Sequence, residues 1–257
     1  MIQLKNLSAG YSGDPVVRNV TLDICPSQVL VLLGPNGSGK STLLKAALGL
    51  IPSLGGEILY DGVPMTKLSR KEIARKAALL AQSRNTPSIQ ALRMVLHGRF
   101  PYLSYPRRYS GEDKAIARAA MDATGTRQYE DSNVSQLSGG QRQGVYLAMA
   151  LAQDTETVFM DEPTTYLDIR RQLETMETAR SLARGGKAVV LVLHDISLAL
   201  RAADRVAVLE GGALTAWDTP EAVYESGALN RAFGVQVHRL DTPHGIQYYC
   251  TQIKEGD

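Results

Sequence analysis

The sequence predicts an α/β fold on a mostly parallel sheet, with an antiparallel strand pair ahead of it and a helical segment inserted into it. Three observations carry this. The apolar run Val29 to Leu33 leads into Gly34-Pro35-Asn36-Gly37-Ser38-Gly39-Lys40-Ser41-Thr42 and then into a helical pattern with Leu43, Leu44, Ala47 and Leu48 on one side. Similar apolar runs recur at 77–82, 158–160, 187–193 and 206–209, as strands buried on both faces would. From Ser83 to about Ala152 the strand pattern gives way to helical periodicity.

The chain opens with alternation at Ile2 to Leu7 and again at Val16 to Ile24, divided by the turn-like Tyr11-Ser12-Gly13-Asp14-Pro15. This reads as an antiparallel pair. Tyr11 has two readings: a ring that stacks on a nucleotide base, or a ring that covers the sheet edge. The Gly34–Thr42 stretch fits the phosphate-loop pattern, Gly at both ends followed by Lys and hydroxyl residues. Its glycines let backbone N–H groups curl toward an anion, and the following helix adds its positive end. Lys40 supplies a cation for the outer phosphates, and the Ser41 hydroxyl a ligand for Mg²⁺.

Gly55 to Gly62 reads as a strand closed by a Gly turn, Leu68 to Lys76 as a short helix, and Ala77 to Gln82 as a buried strand. Gln82 stands where the ligand crevice of an open α/β sheet begins, although a surface glutamine explains it as well. In the helical segment Ile89, Leu92, Val95 and Leu96 fall on one face, and Ser110 to Asp113 forms a capping box. Its arginines, taken singly, read as a solvated face. Leu137-Ser138-Gly139-Gly140-Gln141 opens a helix through Ala152, with Val145, Ala148, Met149 and Ala152 inward. Ser138 as N-cap before two glycines leaves N–H groups open to an anion, a second phosphate-binding surface.

Val158-Phe159-Met160 ends in Asp161-Glu162. Beside a triphosphate, one carboxylate holds Mg²⁺ and the next orients or deprotonates a water. Lys187 to Leu193 ends in His194, read as catalytic because its strand is expected beside the carboxylate strand. Val206 to Leu209 is read as the last strand of the main sheet, followed by short helices from Thr219 and a terminal hairpin over 235–240 and 246–251.

Composition is that of an ordinary soluble chain: 257 residues, 44% hydrophobic and 21% charged. A net charge of +2 gives no electrostatic case for nucleic acid. Cys25 and Cys250 fit no metal or redox spacing and read as buried free thiols of a reducing compartment. Met1 to Leu7 runs straight into a strand pattern, so no signal peptide is expected. No apolar run approaches the ~18–20 residues that span a bilayer. Work at a membrane would therefore need another chain as anchor.

Taken together, these motifs resemble the nucleotide-binding subunit of an ABC transporter over nearly the whole chain. The resemblance implies a P-loop ABC-ATPase fold. Its core sheet is mostly parallel, with an N-terminal antiparallel β-subdomain and an inserted helical subdomain. Within one ATPase domain, 1–82 and 156–257 would be core and 83–155 the helical subdomain. Tyr11 matches the base-stacking aromatic, Gly34 to Thr42 the Walker A loop, Gln82 the Q-loop and Leu137 to Gln141 the LSGGQ signature. Asp161 matches the Walker B aspartate, Glu162 the catalytic glutamate, Asp168 the D-loop aspartate and His194 the switch histidine. The implied cofactors are ATP and Mg²⁺, the metal held by Ser41, Gln82 and Asp161. Glu162 would be the general base, with His194 and Gln82 in the catalytic set.

The resemblance further implies a head-to-tail homodimer. ATP on one Walker A loop would be covered by Ser138, Gly139, Gly140 and Gln141 of the second copy. Membrane permease subunits would dock on the Q-loop and helical subdomain, with a solute-binding protein as indirect partner and no nucleic acid. Residence would be peripheral, on the cytoplasmic face of the inner membrane. Gly98-Arg99-Phe100-Pro101-Tyr102 resembles the segment of ATPases serving iron–siderophore, haem and cobalamin importers. Two departures stand out: Gly144 where relatives usually carry Arg, and Tyr102 in place of His. Three functions fit: such a chelate importer, another ABC transporter such as a separate-subunit exporter, or a non-transport ABC ATPase. The last usually needs paired cassettes or long insertions for which the chain has no room.

Overall fold

The computed structural model describes residues 1–82, 86–165, 167–243 and 245–253. The chain runs β1 (Ile2–Tyr11), β2 (Asp14–Ile24), β3 (Val29–Leu33), α1 (Lys40–Ala47), β4 (Ser53–Tyr60), β5 (Val63–Pro64), α2 (Arg70–Lys76) and β6 (Ala77–Leu80). Helices α3 (Ala91–Leu96), α4 (Gly111–Ala123) and α5 (Gly139–Ala152) follow. Then come β7 (Thr157–Asp161), α6 (Ile169–Arg184), β8 (Ala188–Val192), α7 (Ile196–Ala202), β9 (Arg205–Glu210) and β10 (Ala213–Asp218). Helices α8 (Pro220–Glu225) and α9 (Ala228–Phe233) lead to the hairpin β11 (Val235–Thr242) and β12 (Gly245–Gln252).

The main sheet has the order β10-β9-β3-β8-β7-β6, parallel throughout except for β10. Strands β3, β7 and β8 are buried at every position, which is why they read as unbroken apolar runs. The second sheet, β2-β1-β4-β5, is antiparallel and alternates buried with open positions over much of β1 and β2. One core packs the main sheet against α3 to α7, and another lies between the two sheets around α1.

Several sequence readings are corrected. The sheet does not end at β9: Gly211-Gly212 turn the chain into the antiparallel edge strand β10. The turn after β1 is only Ser12-Gly13, since Tyr11 pairs with Asp14 and Gly10 with Pro15. Ile89 is not on the α3 face: its carbonyl accepts from Val134 N–H at 2.9 Å and Gln90 bridges Asn133, so the helix starts at Ala91. The α3 residues buried are Ala91, Val95 and Leu96. Cys250 is exposed and Cys25 half-buried, so neither is the buried thiol expected.

Gly144 and Tyr102 prove to be packing residues. A Cβ at Gly144 would lie 2.7 Å from Thr126 Cγ2, so α5 can approach the end of α4 only with glycine there. Tyr102 donates its hydroxyl to the Asp154 carbonyl at 3.2 Å, and its ring lies under the guanidinium groups of Arg99 (4.0 Å) and Arg75 (5.1 Å). Arg99 itself turns inward to Asp113 at 3.0 Å and to the Ala152 carbonyl at 3.1 Å.

Candidate active site

The candidate residues gather where parallel strands end. The loop from β3 to α1 carries Gly34 to Lys40; Asp161 closes β7 and Glu162 follows it; His194 lies two residues past β8, and Gln82 two past β6. Because β8 lies between β3 and β7, all four strand ends open on one crevice, the place such sheets bind ligands. Strands β7 and β8 are neighbours, as His194 required.

The phosphate-type loop is built by backbone necessity. Gly34, Gly37 and Gly39 have φ of 148°, 78° and 97°, values that side-chain-bearing residues rarely adopt. A Cβ at Gly34 would come 2.1 Å from the Leu209 carbonyl oxygen. Ser38 Oγ is buried and finds no hydrogen-bond partner among the described residues, an orphan that an anion would satisfy. Gly39 caps α1 without a side chain, leaving the helix N-terminus to face the loop. Lys40 is buried, its Nζ donating to the carbonyls of Gly34 (2.8 Å) and Pro35 (2.9 Å). Burial lowers its pKa, opposed by the charges of Glu162 and Asp161. Pro35 is half-buried, Asn36 exposed and Thr42 buried on α1.

Ser41 Oγ donates to Asp161 Oδ1 at 3.0 Å, joining the start of α1 to the end of β7. Asp161 is 5% exposed, and burial raises its pKa against the opposing Ser41 hydrogen bond. A hydroxyl and a carboxylate at this separation form an all-oxygen donor set suited to Mg²⁺. Gln82, the third predicted metal ligand, instead donates its Nε2 to Glu162 Oε2 at 2.6 Å. Thr165 Oγ1 donates to the same oxygen at 3.1 Å, and His194 Nε2 stands 2.6 Å from Oε1. Both oxygens of Glu162 are thus engaged. Its backbone is held at φ 50°, a conformation costing about 1–3 kcal/mol that clusters at functional sites. Thr165 is a contact the sequence reading missed; its spacing three residues after Glu162 was the available signal.

The remaining candidates hydrogen-bond elsewhere or stand exposed, although Gly139 lines a shallow opening of about 150 Å³ together with Gln82 and Thr165. Tyr11 is 47% exposed at the end of β1. Asp168 caps α6, accepting from Arg171 N–H at 2.9 Å. Ser138 caps α5 in a reciprocal box with Gln141, whose Nε2 also donates to Tyr129 Oη at 2.9 Å. The hydroxyl of Ser138 is therefore not idle, as a bare anion site would have it. Gly139 still fronts open space: a Cβ there would meet nothing within 4 Å. No packing among the described residues calls for glycine at that position. A cavity of about 670 Å³ separates α5 from α6 and is bordered by Gly140, Gly144, Leu167 and Arg171.

The chain is similar to known proteins along most of its length. Residues 17–165 match the family described as ABC transporter. The chain is 36% identical over 244 residues to the achromobactin transport ATP-binding protein CbrD of Dickeya dadantii, covering 94% of this chain and 91% of that one. It is 40% identical over 244 residues to the hemin import ATP-binding protein HmuV of Rhodococcus jostii, covering 94% and 82%. Among solved structures, the dimeric bacterial ABC transporter cassette MJ0796 superposes with a TM-score of 0.75 at 30% identity, over 86% of this chain and 99% of that one. A family match over more than half the chain, with relatives this similar along nearly all of it, gives the motifs a common origin: the chain belongs to the ABC transporter family.

Proposed function

We infer that this chain is the ATP-binding subunit of an importer, hydrolysing ATP to drive uptake of an iron–siderophore, haem or related chelate. The convergence of Lys40, Ser41–Asp161, Gln82, Glu162 and His194 at neighbouring strand ends carries the ATPase reading. The chelate class rests on the names of the relatives, which handle achromobactin and hemin, together with the segment at Gly98 to Tyr102. Export remains the second reading, since the site would serve either direction.

Phosphate binding falls to Gly34 to Lys40 and the α1 N-terminus, with Tyr11 at the base. Ser41 and Asp161 hold Mg²⁺, which when bound neutralises phosphate charge; Gln82 reaches the site only by leaving Glu162. Glu162 accepts the proton of the attacking water. To do so it releases an oxygen now engaged by His194, Gln82 or Thr165. His194 and Gln82 are donors that a γ-phosphate and its water could draw away. The nucleotide thus frees the base that cleaves it.

The second half of the site comes from another copy. Gly139 and Gly140 leave room at the α5 N-terminus, and a dimeric cassette is among the similar structures. Ser138, Gly139, Gly140 and Gln141 of one chain cover the phosphates on its partner, and Asp168 lies at that seam. The helical subdomain moves against the core. Among the described residues no helix is long and apolar enough to cross a membrane. In this reading permease subunits hold the chain at the bilayer's cytoplasmic face. Two openings support a docking surface. One, of about 430 Å³, is lined by Leu79, Ala81, Ile89, Met94, His97 and Met149. The other, of about 360 Å³, is lined by Leu48, Leu50, Arg70, Ile73 and Gln153.

Glu162→Gln tests the assignment. It removes the base while keeping an acceptor and a donor, so an ATP-dependent dimer should accumulate with hydrolysis reduced by at least a hundredfold. Light scattering that finds only monomers with ATP and Mg²⁺, or a phosphate-release assay at the native rate, would refute it.

A further inference from the structure

A basic, aromatic-tipped surface borders the docking openings assigned above and takes no part in the nucleotide chemistry. Residues 65–76 and 97–110 contain eight Lys or Arg and one Glu, in a chain whose net charge is only +2. Two of these cations are spent internally, Arg99 on Asp113 and Lys76 on Asp61. The single acid, Glu72, is turned to the backbone and hydroxyl of Ser69 in the α2 capping box. Lys67, Arg70, Lys71, Arg75, Arg107 and Arg108 remain exposed. The two segments form one surface: Lys71 Nζ donates to the Leu103 carbonyl at 3.2 Å and Arg75 Nε to the Pro101 carbonyl at 3.1 Å. At its tip Tyr105 is 96% exposed, and Phe100 is 48% exposed with the Arg107 guanidinium 4.6 Å above its ring.

We propose that this surface, with Tyr105, Arg107 and Arg108 at its tip, binds the anionic headgroups of a phospholipid membrane. Charge complementarity is the first reason, because juxtamembrane clusters of this size are attracted to acidic lipid over about a Debye length of 8 Å. The second is the aromatic tip. A tyrosine almost wholly in water gains from the headgroup layer, where its ring and hydroxyl are both accommodated. Its orientation rests on the importer reading: Arg70, Ile73 and Ala74 of α2 line the 360 Å³ opening assigned to the permease, so the cations border that docking surface.

Lipid binding is testable on the isolated chain, apart from transport. Co-sedimentation is measured with vesicles of phosphatidylcholine alone and of phosphatidylcholine with 30% phosphatidylglycerol. The chain should bind the acidic vesicles, lose that binding in 0.5 M salt, and ignore the neutral ones. Arg107→Glu/Arg108→Glu should weaken binding at least about tenfold and Tyr105→Ser by a few-fold, with ATP hydrolysis in detergent unchanged. Arg180→Glu, on α6, carries the same charge change as Arg107→Glu alone and, unlike that single variant, should change little. Equal binding to both vesicle types, or equal loss in the Arg180 control, overturns the proposal. So does loss of permease co-purification in the double variant without any lipid binding, which would assign the surface to protein. Native hydrolysis in every variant would leave the ATPase assignment standing even then.

Discussion

Asp161 shows how much of this site's chemistry is decided one residue at a time. Its carboxylate is buried at the end of β7, accepts from Ser41, and has its pKa raised, first by burial and then by the neighbouring charge of Glu162. A folded pKa above the unfolded one contributes stability at low pH that is lost as pH rises through the folded value. At neutral pH the ionised group therefore costs stability until a cation arrives. Asp161→Asn keeps the acceptor for Ser41 without the charge. Its nucleotide-free melting temperature should rise, by about 2–4 °C per kcal/mol recovered, while the further rise on adding ATP with Mg²⁺ disappears. Melting curves with and without Mg²⁺ check both; an unchanged Mg²⁺-dependent gain would remove Asp161 from the metal site.

At the scale of elements, two contacts fix the helical segment. Gly144 lets α5 approach Thr126, whose hydroxyl bonds the Met121 carbonyl at 3.3 Å. Alanine is the better helix former by about 1 kcal/mol, yet Gly144→Ala should destabilise by about 1–3 kcal/mol through overpacking. Thr126→Ser removes the offending methyl and keeps the hydroxyl, so the double variant should recover most of the loss in a denaturant titration. The Arg99–Asp113 pair ties the 3₁₀ turn at residues 97–102 to the start of α4. Burial pushes the Asp113 carboxyl up, but hydrogen bonds from Ser110 and Arg99 outweigh it and hold its pKa below the usual carboxylate range. A depressed pKa gives stability that is present above the unfolded value and lost as pH falls through the folded one. Asp113→Asn, which leaves Arg99 buried and unpaired, should cost about 3 kcal/mol at pH 7. That gap should close as pH falls toward about 3. Denaturation of both proteins at the two pH values is the check; a gap that stays constant would refute the linkage.

Across the whole molecule, α5 is tied to the β7 side of the sheet by a polar contact. Gln143 Nε2 donates to the Pro163 carbonyl at 2.9 Å, joining α5 to the loop that follows Glu162. An opening of about 670 Å³ lies beside it, between α5 and α6. Gln143→Ala should therefore loosen the coupling between halves more than either half's fold. Hydrogen exchange should speed up several-fold in 139–152 and 163–168 while global melting shifts by under about 2 °C. A global loss of protection would instead make Gln143 a general stability residue.

Motif chemistry and periodicity were local enough to be read directly. Glycines demanded by positive φ, the capping box at Ser110, the N-cap at Ser138, and fully apolar runs at β3, β7 and β8 each depend on a few adjacent residues. What depends on residues far apart in the chain was not legible. The hydrogen bonds that occupy Glu162 arrive from Gln82 and His194, and the need for Gly144 comes from a methyl on Thr126. The inward turn of Arg99 toward Asp113, and the joining of α2 to the 103–110 loop as one basic surface, likewise appear only in three dimensions. The sequence by itself determined the parallel strands of the main sheet and what chemistry each strand end carries, because those follow from nearest neighbours along the chain. Tertiary structure alone decided which of those ends touch, since sheet order sets distances that sequence separation does not encode.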